Sequence, residues 1–494
     1  MPALVALVTW LPLRPHLMFR YRTWLLALTF FSSLSSPALA GIQSTLPVTV
    51  SAFLKTVSVP ESALSATILP VGNRTSPLLT WQSDVPRNPA SVAKLLTTIA
   101  ALDTLGGDFT WFTDFYYTGY IAGDTLHGNL HIRGGGDPKF VIERIQETMN
   151  TLRARGIKTV KGNMVLDNSA FDLPRLPVGE FDGEVLRPYN VQPDALMVNF
   201  KSVILKFTPD RKRGVAHVAV EPPMAGLRVP SKVPLRRGRC GDWRTGLRGT
   251  FMQAARYQFR GTYPSACGER SWPIAYIAPD QYASKALLGI WQSLGGKVSG
   301  KVISGPVPSH AQLLYRAPSL PLRTIIADVN KMSNNMMAQQ VFLTLAMTPN
   351  QPATIEKARA RILAWWERAL GSEMAKPVID NGSGLSRDGR ISADALIALL
   401  QHAAQNQDFT DFYESLGIAG IDGTVRNMGR DGTTPLSIGN AHLKTGSLKD
   451  VTALAGYVTG VSGQRYAIAA MINHDDAPKA RGALYRLVEW AAQH

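Results

Sequence analysis

Three short motifs hold the residues of this chain best able to do chemistry. Ser91-Val92-Ala93-Lys94 places a hydroxyl and an amine at i and i+3, which share one face of a helix. A serine hydroxyl is a weak nucleophile until a base takes its proton, and a lysine can be that base when burial or a second cation favours the neutral amine. Ser333-Asn334-Asn335 breaks two apolar-periodic segments, 322–332 and 336–345, and could point a hydroxyl and an amide into a cleft. Lys444-Thr445-Gly446 lies inside a strand-like run. Each motif alone also has a plain structural reading: a helix N-cap, a surface loop, and an edge lysine that deters aggregation.

Other hydrolase chemistries lack their signatures. There is no G-x-S-x-G, no H-E-x-x-H and no Walker lysine loop. "RGGGDP" at 133–138 has no lysine and Ser/Thr pair to close it, so it reads as a turn. The nine histidines show no metal-ligand spacing. Neither a metal nor an organic cofactor is called for.

The elements that must position the motifs follow from periodicity. Leu95, Leu96, Ile99, Ala100 and Leu102 recur at helical spacing until Gly106-Gly107, which puts Ser91 in the first turn, where free N–H groups and the dipole favour negative charge. From there to about residue 304 apolar and polar residues alternate around Gly-Asp turns, a β-rich texture with one helix around Phe140 to Arg155. Helical spacing returns at residue 321. Strand-like "HLKTGSL", "TALAGYVTG" and "RYAIAAMIN" follow, and a helix closes the chain near 481–492. The simplest organisation is one α/β domain split between residues 41–106 and 305–494, with residues 107–304 inserted as a β-rich region of two subdomains.

The chain has 494 residues, too many for one core, and its 45% hydrophobic and 18% charged residues argue against wholesale disorder. Arg20 and Arg22, an apolar run at 24–34 and small residues ending at Ala40 read as a signal peptide cleaved after Ala40, with Met18 in position to start it. The alternative is an uncleaved anchor, although the apolar run is short for a bilayer. Export implies an oxidising compartment, the periplasm, where Cys240 and Cys267 most simply form a disulfide; two free thiols are the other reading. The net charge is +16, and residues 201–249 alone hold twelve Lys or Arg against three Asp or Glu. That patch suits an anionic wall or membrane surface, or a solvated face without a partner; an exported protein rarely meets nucleic acid.

In the order Ser-x-x-Lys, Ser-x-Asn, Lys-Thr-Gly, the three motifs are the signatures of penicillin-binding proteins and class A β-lactamases. The chain resembles the low-molecular-mass penicillin-binding proteins with D-alanyl-D-alanine carboxypeptidase and endopeptidase activity, in the group with a large insertion between the first two motifs, here between Lys94 and Ser333. "GGGDP" at 134–138, "ALMVNF" at 195–200, "DNGSGLSR" at 380–387 and "GIDGTVRN" at 420–427 share the likeness. Gln339, where an acidic residue is expected, and Lys139 after "GGGDP" depart from it.

The resemblance implies a β-lactamase/transpeptidase-like domain, an antiparallel sheet flanked by helices, with a large β-rich insertion. It implies acyl transfer on peptidoglycan stem peptides and covalent capture of β-lactam antibiotics. Ser91 is then the nucleophile, Lys94 the general base, and Ser333 a proton relay touching both lysines. Asn335, Lys444, Thr445 and Gly446 bind substrate, and the backbone N–H groups of Ser91 and Ser447 form the oxyanion hole. A β-lactamase or esterase on the same site, and a wall-binding protein with a vestigial site, are the competing readings. The large insertion and the retention of all three motifs argue against them.

Overall fold

Alternation of side chains along the strand Arg465–Asn473 explains how one sheet serves two cores. Ala467, Ala469 and Met471 face one apolar cluster, and Ile468, Ala470 and Ile472 face another, as the two-residue period of a strand requires. The computed structural model describes residues 45–72, 76–429 and 436–494 of the protein. The signal peptide read at residues 1–40 lies outside them. Residues 41–494 form one compact unit.

The sheet has six antiparallel strands in the order Gly417–Ile418, Ala441–Leu448, Val451–Thr459, Arg465–Asn473, Leu64–Pro70, Leu79–Trp81. Its strands come from both sides of the central region: Leu64 pairs with Ile472 and Pro70 with Tyr466. Helices Lys94–Leu105, Leu322–Met332, Asn335–Thr344, Ile355–Leu370 and Ala393–Gln405 share the core on one face. Helices Val48–Thr56 and Arg481–Ala492 cover the other. Val50, Leu54, Leu487 and Val488 are fully buried there, each worth roughly 1.5–3 kcal/mol on removal from water.

Between the first two motifs the chain builds two further five-stranded sheets around a third apolar core, drawn from residues 115–317. One has the order Val302–Ser304, Met164–Asp167, Leu130–Gly134, Phe112–Tyr117, Gln312–Pro318; the other Tyr263–Pro264, Lys232–Arg236, Val215–Glu221, Ser202–Asp210, Arg270–Ala275. Because Gln312–Pro318 pairs with Phe112–Tyr117, strand pairing here continues past residue 304. Cys240 and Cys267 form a disulfide.

The fold is therefore α/β, an antiparallel sheet flanked by helices and carrying a large β-rich insertion, as the sequence implied. Several helices escaped that reading, among them Ile355–Leu370, Ala393–Gln405, Pro279–Ser293 and Val48–Thr56. Pro279–Ser293 opens with proline in its first turn and buries Tyr282, Ala286, Leu287 and Ile290. This helical spacing is legible but is framed by turn-rich strands. Val48–Thr56 buries only Val50 and Leu54, too narrow a stripe to stand out.

Candidate active site

The turn that carries Ser91 is built by its neighbours. Residues Ala90–Ala93 form a 3-10 turn, and the α-helix begins at Lys94, so Ser91 lies just ahead of the helix and not within its first α-turn. Ala90 has φ +46°, a costly conformation for a residue with a β-carbon, and Asn88 Oδ1 holds it by accepting the Ala90 N–H at 2.8 Å. Among the described residues the Ser91 hydroxyl caps no backbone group. Its hydrogen-bond partner is Lys94 Nζ, 3.0 Å away, which sets aside the N-cap reading.

Lys94 is fully buried. Its Nζ also lies 2.7 Å from Asn335 Oδ1 and 2.5 Å from the Ser383 carbonyl. Those two groups can only accept. A neutral amine has two N–H donors and one lone pair, so satisfying both leaves the lone pair for the Ser91 hydroxyl. Burial, reinforced by the charge of Lys444, holds the Lys94 pKa well below the usual lysine range. A lowered pKa favours the neutral amine, the form able to take the Ser91 proton.

Ser333 ends helix Leu322–Met332 in the left-handed region at φ +56°. Asn334 then caps the next helix by accepting the Met337 N–H, and Asn335 is that helix's first residue. The polar knot is thus a break between two helices, with one residue ending the first and one starting the second. Ser333 Oγ accepts from Lys444 Nζ at 2.9 Å. Among the described residues Ser333 has no hydrogen bond to Lys94, whose contact with the second motif goes to Asn335 instead. The expected double contact is divided between the two residues.

Lys444 is also fully buried, and desolvation lowers its pKa to about 7. Its other partner is the Thr445 carbonyl at 2.7 Å. The strand Ala441–Leu448 is paired along its whole length with Val451–Thr459, but on its other edge the short strand Gly417–Ile418 reaches only His442 and Leu443. Among the described residues the edge from 444 to 448 has no strand partner, and an added extended peptide could complete it. Thr445 Oγ1 bonds Thr424 Oγ1 at 2.7 Å, and Ser447 Oγ accepts from Arg481 at 3.2 Å.

All three motifs therefore converge on one site, from a turn, a helix junction and a strand. The description "D-Ala-D-Ala carboxypeptidase 3 (S13) family" belongs to the family model that matches residues 49–494. The chain is a member of this family. A curated relative, the D-alanyl-D-alanine carboxypeptidase DacB of Haemophilus influenzae, is 27% identical over 385 residues, 78% of this chain and 80% of that one. The D-alanyl-D-alanine carboxypeptidase of Actinomadura sp. (strain R39) is 27% identical over 76% of this chain and 71% of its own. The crystal structure of penicillin binding protein 4 (dacB) from Haemophilus influenzae shares the fold with a TM-score of 0.71 at 24% identity, over 90% of this chain and 100% of that one.

Within this S13 chain, residues that the sequence reading left without a role complete the site. Ser383, from the stretch 380–387, supplies the carbonyl that orders Lys94, and Thr97 Oγ1 fixes that loop by donating to the Gly382 carbonyl at 2.6 Å. Thr424, from the stretch 420–427, supports Thr445. Both stretches were marked by resemblance, but no spacing tied them to the motifs. The two departures from the family pattern also have partners: Gln339 Nε2 donates to Ser383 Oγ at 3.3 Å, and Lys139 pairs with Asp328. A cleft of about 520 Å³ adjoins the site, lined in part by Tyr189, Gln339, Asn381, Ser386 and Arg387. The Tyr189 carbonyl lies 3.5 Å from Asn335 Nδ2. No described helix is long and apolar enough to cross a membrane.

Proposed function

We propose that this protein is a serine-type D-alanyl-D-alanine carboxypeptidase and DD-endopeptidase, acting on peptidoglycan stem peptides through an acyl-enzyme at Ser91. The observation that carries the reading is the setting of Lys94: fully buried, with Nζ 3.0 Å from Ser91 Oγ and held by Asn335 Oδ1 and the Ser383 carbonyl.

Ser91 Oγ attacks the carbonyl joining two D-alanines as its proton passes to Lys94 Nζ. The backbone N–H groups of Ser91 and Ser447 hold the oxyanion. The C–N bond then breaks, and the proton held on Lys94 passes to the departing amine by way of Ser333, which Lys444 orients, so Lys94 is neutral again. Water attacks the resulting ester, gives its proton to Lys94 and regenerates the serine. Lys444 and Thr445 bind the terminal carboxylate, Gly446 lets the peptide approach the strand edge, and Asn335 presents Nδ2 to the substrate amide. Cleavage of a cross-link repeats these steps with a longer leaving group. A β-lactam is opened by the same attack, and its tethered amine remains bound, which makes it a covalent inhibitor. No metal or organic cofactor enters the scheme. The signal at residues 1–40 supports cleavage after Ala40 and a periplasmic location.

Purified protein is expected to be labelled covalently by a fluorescent penicillin, and Ser91→Ala to lose the label. Persistent labelling of that variant rejects the nucleophile. Mass spectrometry of products from muropeptide monomers and cross-linked dimers reads the carboxypeptidase and endopeptidase activities separately.

A further inference from the structure

Loops at one end of the second inserted sheet gather cations that the catalytic reading leaves unused. Strand Ser202–Asp210 turns through residues 211–214 into Val215–Glu221. Val215 pairs with Pro234, and the Leu235 N–H donates to the Gly214 carbonyl at 2.9 Å, so the end of Lys232–Arg236 lies beside that turn. The disulfide ties Cys240, just beyond, to Cys267, and Arg211 donates to the Ser265 carbonyl at 3.3 Å. Three loop tips meet here, and the first two carry Arg211, Lys212, Arg213, Arg236, Arg237 and Arg239, all exposed. Arg213 has Asp210 at 3.4 Å. The other five have no carboxylate within ion-pair distance among the described residues. Such a cluster repels itself, and an external anionic surface relieves the repulsion.

We infer that this end of the inserted sheet docks the protein on an anionic phospholipid bilayer. The cations stand on separate loop tips and line none of the clefts around Pro89, Tyr189 and Trp111. That arrangement suits a broad charged plane better than a single polymer strand, which needs a groove to follow. None of the six is an apolar anchor, so attachment is electrostatic, reversible and sensitive to salt. Each cation close to such a surface contributes roughly fivefold to binding. The inference is independent of the hydrolytic reading.

The test is co-sedimentation of the purified chain from Gly41 onward, the compact unit described above, with vesicles of phosphatidylcholine alone or containing about 30% phosphatidylglycerol. The parent is expected to bind only the anionic vesicles and to lose binding as salt rises from about 0.05 to about 0.5 M. Changing Arg211, Lys212, Arg236, Arg237 and Arg239 together to glutamine is expected to weaken binding by at least about a hundredfold. A variant with lysine at all five positions should retain it, and cooperative thermal unfolding reports that both variants are folded. Equal binding by the parent and the glutamine variant overturns the inference, as does failure of the lysine variant to bind. Binding of the parent to soluble poly-glutamate but not to vesicles assigns the surface to a polyanion and equally overturns the bilayer.

Discussion

A β-carbon on Gly446 would stand 2.4 Å from the carbonyl oxygen of Pro89 and 3.1 Å from the Ser91 nitrogen. The strand bearing the third motif and the turn bearing the first are thus in backbone contact, and the motif glycine lets them meet. Sequence reasoning gave this glycine the task of admitting a substrate. The structure adds an earlier task, assembly of the site itself.

Gly446→Ala must displace the Pro89–Ser91 backbone or the strand. We expect a loss of about 1–3 kcal/mol in stability, as for other overpacked sites. Acylation should slow by about a hundredfold, the scale of a 1 Å misplacement of reacting groups. Urea unfolding and stopped-flow penicillin acylation measure the two. A variant that acylates at the parent rate contradicts the assembly argument.

Lys94→Ala removes the only hydrogen-bond partner of the Ser91 hydroxyl found among the described residues. Acylation should fall by about 10²–10⁴, the range of general-base contributions, with the fold retained by circular dichroism. Lys94→Arg should not restore the rate, because a guanidinium stays protonated and has no lone pair to offer. Acylation by either variant at the parent rate removes Lys94 from the mechanism.

Lys444, with its pKa lowered to about 7, is a cation below that pH and neutral above it. For a peptide ending in a free carboxylate, kcat/KM should therefore fall as pH rises past about 7, since this parameter follows the free enzyme. The same peptide with an amidated terminus should show no such fall. Matching profiles for the two peptides would separate Lys444 from carboxylate binding.

The same group links stability to pH. Its folded pKa lies below its unfolded value of 10.5, so between the two the unfolded chain binds more protons and stability rises with pH. Its burial destabilises most fully below about pH 7. Relative to Lys444→Met, the parent should gain up to about 1.4 kcal/mol per pH unit between about pH 7 and pH 10. Unfolding of both proteins at two pH values reads this directly, and a flat difference excludes a lowered pKa.

Replacing Cys240 and Cys267 by serine should cost the inserted region roughly 3 kcal/mol on the loop-closure scale. Penicillin labelling should persist, because the disulfide belongs to an apolar core separate from the one behind Ser91. Loss of labelling without loss of secondary structure would instead couple the insertion to the site.

Local pattern was sufficient for the elements near the motifs. The apolar period of 94–105, the alternation of 441–473 and the helix 481–492 are set by neighbours a few residues apart, and the structure has them at nearly those bounds. The motif residues stood out because acyl transfer needs a hydroxyl, a basic amine and a carboxylate-binding cation, and these side chains have few substitutes. Tertiary structure alone decided which groups touch. That Lys94 reaches Asn335 and Ser383 while Ser333 bonds Lys444 depends on contacts between residues 111 to 289 positions apart, which no local period encodes. Burial of both lysines, and with it their lowered pKa values, likewise arises only when helix, loop and strand close around them.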